Sequence, residues 1–140
     1  MNPFMKAFVA THVWVYRATN GKLGSSMLGG KVLLLTTKGR KTGLSRTVPV
    51  MYMDSSIGKP MICASAAGSP EHPAWFNNLV ANPDITIEMP GKKLDCKAIV
   101  TTGEERAKLW AELTAKFPNF LEYTKKTTRE FPMVVFQTSN

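Results

Sequence analysis

Between Lys31 and Thr37 the chain carries an unbroken apolar run, Val32-Leu33-Leu34-Leu35, and a short continuous run of this kind predicts a buried strand. Arg46 to Met53 resumes as a second strand, in which Pro49 favours an edge or a bulge because proline cannot donate to a ladder. The two form a hairpin around the segment between them. Ser55 to Pro60 reads as a turn and Met61 to Ser65 as a third strand. Asp84 to Met89 then alternates with period two, Pro90-Gly91 supplies the residues of a type II turn, and Lys92 to Thr101 returns as the partner strand. Phe131 to Gln137 is the last strand.

Elsewhere the apolar spacing is helical. Phe4, Phe8 and Val15 fall on one face of an N-terminal helix, with Val9, Val13 and Tyr16 beside them. His72 to Ala81 predicts a short helix with Pro73 in its first turn and Asn82-Pro83 closing it. Thr102-Gly-Glu-Glu105 has the spacing of a capping box, Leu109, Leu113 and Phe117 follow at i, i+4, and Pro118 ends the helix. Asn119 to Arg129 reads as a further helix with Phe120 and Tyr123 on one side. These elements predict an α+β fold, a small antiparallel β-barrel of about six strands with an N-terminal helix and inserted helices. Two parts are expected within one compact chain: residues 1–22, the N-terminal helix and its linker, and residues 23–140, the barrel. The glycine- and serine-rich stretch Asn20 to Gly30 joins them as a mobile connection.

Charge adds a local feature. The formal net charge of +8 belongs wholly to the first part of the chain, because the first carboxylate is Asp54 and eight Lys or Arg precede it. Four of these, Lys38, Arg40, Lys41 and Arg46, sit in the loop of the first predicted hairpin, punctuated by Gly39 and Gly43. A strand ending in a glycine-punctuated basic loop is suited to phosphate or carboxylate groups. The 44% apolar and 20% charged composition is that of a soluble globular protein. Cys63 and Cys96, without partners at metal-ligand spacing, read as reduced, buried thiols. The N-terminal stretch, interrupted by Thr11 and His12, is neither a signal peptide nor a membrane span, which makes the cytoplasm the expected location. Two readings of that helix stay open: docking on its own core, the plainer one, or peripheral contact with an anionic membrane surface aided by Lys6, Arg17 and Lys22.

Several motifs fail on their physics. Gly24 to Lys31 approaches a P-loop, but Val32 stands where a Ser or Thr is needed and the segment leads into a strand where a helix is required. Ser56-Ile-Gly-Lys59 matches S-x-x-K inside a Gly-Pro turn, without the accompanying motifs. His12 and His72 are the only histidines, no cysteine or carboxylate set completes a zinc site around either, and no metal is expected. His72, at a helix start, reads as a cap or surface residue.

The ordered set Thr36-Thr-Lys-Gly-Arg-Lys-Thr-Gly43, Arg46-Thr-Val-Pro49, Ala64-Ser65, Pro73-Ala-Trp-Phe-Asn-Asn-Leu79 and Ala81-Asn-Pro83 resembles the deazaflavin-dependent nitroreductase family of actinobacteria. Members bind reduced coenzyme F-420 on a split β-barrel, and the likeness spans Leu23 to Phe136. The resemblance implies an oxidoreductase that passes a hydride from F-420 to a small conjugated acceptor: a quinone, an enone, a coumarin-like lactone or a nitro compound. F-420 carries a phosphodiester and an oligoglutamate tail. The resemblance assigns these to Lys38, Arg40, Lys41 and Arg46, with Gly39, Thr42 and Gly43 letting the backbone come close. It places Pro49, Ala64, Ser65, Ala74, Trp75 and Asn78 around the deazaflavin ring, and Ala66 where relatives often have a lysine against the cofactor's anionic portion. A row of tyrosines faces the acceptor in better-known relatives; here it reads Phe117, Phe120 and Tyr123. Two phenol-to-phenyl changes leave Tyr123 and Ser65 as the side-chain hydroxyls able to orient the acceptor or supply a proton, and count against nitroimidazole reduction.

Two rival functions accompany this one. An FMN- or haem-binding protein on the same split barrel would also want a phosphate loop. A non-enzymatic nucleic-acid binder would use the +8 charge, but the basic segment holds no aromatic residue for base stacking until Tyr52, so no nucleic-acid partner is expected.

Overall fold

The computed structural model describes residues 2–27 and 29–138, so Leu28 of the predicted connection and the ends of both expected parts lie outside it. Helix α1 (Pro3–Ala18) precedes a two-residue strand β1 (Ser26–Met27), then β2 (Gly30–Lys38), β3 (Ser45–Asp54) and β4 (Pro60–Cys63). A short helix α2 (Ala74–Ala81) leads into β5 (Asp84–Met89) and β6 (Lys92–Val100), followed by α3 (Gly103–Lys116), α4 (Asn119–Tyr123) and β7 (Met133–Thr138). Every strand pairing is antiparallel, in the order β1-β2-β3-β4-β7-β6-β5, and a further β2–β5 pairing closes the six strands β2 to β7 into the expected barrel.

The period of two along each strand separates two cores. Leu33 and Leu35 of β2, Tyr52 of β3, Ile62 of β4, Ile85 and Ile87 of β5, Cys96 and Ala98 of β6, and Val134 and Phe136 of β7 meet in one cluster with Phe76 and Leu79 of α2. The alternate residues Met61, Met133 and Val135 turn the other way and pack under Leu109, Leu113 and Phe120 of α3 and α4. Pro49 pairs with Leu34 of β2, while β4 meets β3 only at Met53 and Asp54; the proline thus faces no ladder on its other edge, as its missing N–H requires. In the β5–β6 hairpin Met89 pairs with Lys92 around Pro90-Gly91, and Gly91 has the positive φ of +74° that the second turn position demands.

Three local expectations need correction. Thr102 caps α3 without the side-chain hydrogen bond of a capping box. Proline 73 precedes α2 as its N-cap residue, and His72 lies outside the helix without capping it. The predicted helix from Asn119 to Arg129 stops at Tyr123, because Thr124 to Thr128 offers no apolar face to bury and Arg129 is bound elsewhere.

Of the two readings for the N-terminal helix, docking on the body of the protein is present. The buried Tyr16 hydroxyl donates to the carbonyl oxygens of Val32 and Glu88 at 3.0 and 3.2 Å, and burial pushes its pKa up to about 12. Arg17 pairs with Glu88 through two bonds of 3.0 and 2.7 Å. Phe4, Phe8 and Trp14 remain exposed. Among the described residues no helix is long and apolar enough to cross a membrane. Cys96 is buried in the barrel, and Cys63, on the outer face of β4, has its thiol pushed to about 12 by burial.

Candidate functional site

The basic loop owes its shape to backbone bonds that side chains would obstruct. Gly39 donates to Leu44 O at 2.8 Å, and Gly43, at φ +72°, donates to Gly39 O at 2.7 Å. A Cβ on Gly39 would stand 2.8 Å from Thr42 Oγ1, so only glycine leaves the loop this tight. Thr42 Oγ1 in turn accepts from Leu44 N at 3.2 Å.

Asn78 ties this loop to α2. Its side chain is buried; Oδ1 accepts the Arg40 backbone N–H at 3.0 Å and Nδ2 donates to Thr37 Oγ1 at 3.2 Å. The amide is therefore committed to the protein, and it fixes Trp75, one helical turn earlier, against the hairpin.

Between hairpin and helix lies a cleft of about 690 Å³. Gly39, Arg40, Lys41, Thr42 and Arg46 line one side, Ala74, Trp75 and Asn78 the other, and Lys6, Val9 and Ala10 of α1 lie along it as well. Among the described residues no carboxylate lines it. Among the described residues none of Lys6, Arg40, Lys41 and Arg46 takes part in an ion pair. Unpaired like charges gathered around a hollow repel one another and are relieved by an anion, and the neighbouring indole offers a flat apolar wall. These residues fit an elongated polyanion attached to a planar ring.

Eight of the residues assigned from the sequence thus meet in one cleft. Lys38 instead lines a neighbouring hollow with Asp84 and Asp95, and Gly43 lies in the loop but not on the cleft wall. Ala64, Ser65 and Ala66 sit after β4, with Ala64 and Ser65 buried. Phe117, Phe120 and Tyr123 belong to the outer core under α3, where Phe120 is buried and stacks edge-on with Tyr123 at 5.5 Å.

The loop after β4 is held by a residue that sequence reasoning passed over. Ala66, Ala67 and Gly68 all have positive φ, +48°, +54° and +87°, a conformation unfavourable for the two alanines. Gly68 has no room for a side chain, since a Cβ would lie 2.9 Å from Tyr123 O. Arg129 clamps this turn: Nη1 donates to Ala64 O at 3.0 Å, Nη2 to Ser65 O at 2.8 Å, and Nε and Nη2 to Ser69 O at 3.1 and 3.0 Å. Nη1 also lies 2.9 Å from His72 Nδ1. Arginine can only donate, so Nδ1 is the acceptor and the ring is neutral with its proton on Nε2. Burial, and then the Arg129 charge, lowers the His72 pKa. His72 stacks on Phe76 at 4.6 Å, so the clamp reaches the start of α2 and its Trp75. No local pattern announces Arg129, because its partners lie far back in the chain. Lys6, Val9 and Ala10 did carry a signal, the i, i+3, i+4 spacing of one helix face.

The chain is similar to known F420H(2)-dependent reductases. The family model described as F420H(2)-dependent quinone reductase matches residues 8–138. An F420H(2)-dependent quinone reductase of Mycobacterium tuberculosis is 34% identical over 128 residues, covering 89% of this chain and 85% of that protein. The solved structure of an F420-H2 dependent reductase, FDR-A, is 36% identical with a TM-score of 0.67, over 76% of this chain and 93% of that one. A chain solved as a domain-swapped dimer is 32% identical with a TM-score of 0.71, over 97% of this chain and 100% of that one.

Proposed function

The chain belongs to the F420H(2)-dependent quinone reductase family, and on that premise we propose that it reduces a small conjugated acceptor of the quinone type with a hydride from reduced coenzyme F-420. The observation that carries this reading is the cleft whose unpaired cations face Trp75 across Asn78. Arg40, Lys41 and Arg46 bind the phosphodiester and glutamate carboxylates, while Gly39, Thr42 and Gly43 allow close backbone approach. Lys38, which lines the neighbouring hollow with Asp84 and Asp95, stands outside this grip. Trp75 and Ala74 form the apolar wall for the ring, and Asn78 acts by holding the loop to the helix. Pro49 of β3 and Ala64 and Ser65 after β4 complete the ring's surroundings in the family's pattern, Ala66 stands toward the anionic portion, and Arg129 keeps the loop after β4 in place.

When bound, the reduced coenzyme supplies the hydride from its C5 carbon; the protein's part is alignment and exclusion of water. Turning a quinone into a hydroquinone takes a proton as well as the hydride. The half-buried Phe117 gives the acceptor an apolar, donor-free surface, Phe120 backs it from the core, and the half-buried Tyr123 hydroxyl orients the acceptor's carbonyl. Ser65, buried two residues after Cys63, is the second hydroxyl assigned to this role.

Fluorescence titration of the purified protein with F-420 and with FMN tests the reading directly. Quenching by F-420, together with turnover of F-420H2 when a quinone such as menadione is added, is the expected result. Tight FMN binding with no F-420 response would reject it in favour of a flavin-binding barrel. For the acceptor side, Tyr123→Phe should lower kcat about tenfold or more while leaving F-420 affinity unchanged, the signature of a group used in the reaction and not in cofactor binding. Equal activity would reduce Tyr123 to packing on Phe120.

A further inference from the structure

The amino half of α1 is seated against charges of its own sign. Lys6, Val9 and Ala10 line the same cleft as Arg40, Lys41 and Arg46. Lys6 also stands in the first turns of a helix that has no acidic residue there, so the positive end of the helix dipole adds to the repulsion.

The anchors of α1 all lie at its other end. His12 Nε2 meets Gly24 O at 2.8 Å, Tyr16 reaches Val32 and Glu88, and Arg17 pairs with Glu88. Among the described residues no side-chain hydrogen bond or ion pair joins residues 3–10 to the barrel; the Asn2 cap and the Thr11 bond stay within the helix. Beyond Ala18 the chain turns through Asn20 and Gly21, both at positive φ. The helix is thus a lever fixed at its carboxyl end, whose free end closes over a cationic hollow that resists it.

Resting on the function proposed above, we infer that Lys6 is a further binding residue for the polyanionic arm of F-420, and that it couples the seating of the amino half of α1 to occupancy of the cleft. With the arm absent, the charges that share the cleft with Lys6 among the described residues are all positive, and the amino half of α1 is poorly held. Phosphodiester and carboxylate oxygens placed among Arg40, Lys41 and Arg46 reverse the sign of that interaction, drawing Lys6 down and laying Val9 and Ala10 over the bound arm. Cofactor binding and helix docking then favour each other by the same free energy.

The test uses the full chain, F-420, and the deazaflavin ring with its ribityl chain alone, which lacks phosphodiester and glutamates. F-420 should slow amide hydrogen exchange at Ala7 to Ala10, and the tail-less ligand should not. Lys6→Ala should weaken F-420 about fivefold, the range of an exposed charge pair, abolish the added protection, and leave affinity for the tail-less ligand unchanged. Lys22→Ala, which removes an exposed cation that does not line the cleft, should change neither measurement. Wild-type binding of F-420 with equal affinity and protection in Lys6→Ala overturns this inference alone. Failure of the wild type to bind F-420 overturns the proposed function, and this inference with it.

Discussion

Replacing Lys41 and Arg46 together by alanine weakens F-420 binding about a hundredfold, since two charge-assisted hydrogen bonds at about 1.5 kcal/mol each are lost. Both side chains are exposed, line the cleft and pair with no carboxylate among the described residues. Their removal therefore takes nothing from the native packing, and the melting temperature stays level or rises slightly as repulsion within the loop is relieved. The remaining affinity falls less steeply with salt, because fewer ions are exchanged on binding. Titrations at low and high salt, run beside the tail-less deazaflavin, separate arm from ring: the variant binds the tail-less ligand as the wild type does. Unchanged F-420 affinity in the double variant would remove the arm clamp altogether.

Arg129→Ala produces the largest loss of stability, about 3 kcal/mol, because the carbonyls of Ala64, Ser65 and Ser69 lose a charged donor at a partly buried site. For a chain of this size that lowers the melting temperature by roughly 10 °C. Arg129→Lys recovers only part of it, since a point charge cannot reproduce the fork that reaches both edges of the turn. A pH signature accompanies the loss. In the folded protein His72 has its pKa lowered by burial and by Arg129, so the unfolded chain binds the proton more readily. The stability contributed by the neutral ring is complete above the unfolded value of about 6.5 and is lost as pH falls through the folded one. Without Arg129 the second cause disappears and the acid loss between pH 8 and pH 5.5 becomes shallower. Urea unfolding at the two pH values measures it; parallel behaviour of wild type and variant would show that Arg129 does not hold the imidazole neutral.

What the sequence disclosed followed the range of the interaction responsible. The β5–β6 hairpin is written in adjacent residues, alternation on both sides of Pro90-Gly91, and it formed in that register. The same holds for β2, β3 and the glycines of the loop between them, and the +8 charge, carried by the first part of the chain, points to that loop. The length of α4 was misjudged because Phe120 and Tyr123 supply helical spacing for one turn only, while the residues after them are recruited by contacts distant in sequence. The Arg129 clamp was invisible for the same reason. The part of α1 in the cleft was obscured differently: its large residues Phe4 and Phe8 suggested the buried face, but they are exposed, and the smaller Lys6, Val9 and Ala10 face the cleft.

Strand β7 carries a consequence for how the molecule comes into being. It sits between β4 and β6, with Cys63 facing Met133 and Val100 facing Val134, and its side chains enter both cores. Until residues 133–138 are in place, β4 and β6 are bare edges of an open sheet, and neither core has its central strand. Closure is thus a late, long-range event that the early hairpins cannot complete among themselves, and a chain shortened before Met133 is left with two adhesive margins in place of a barrel.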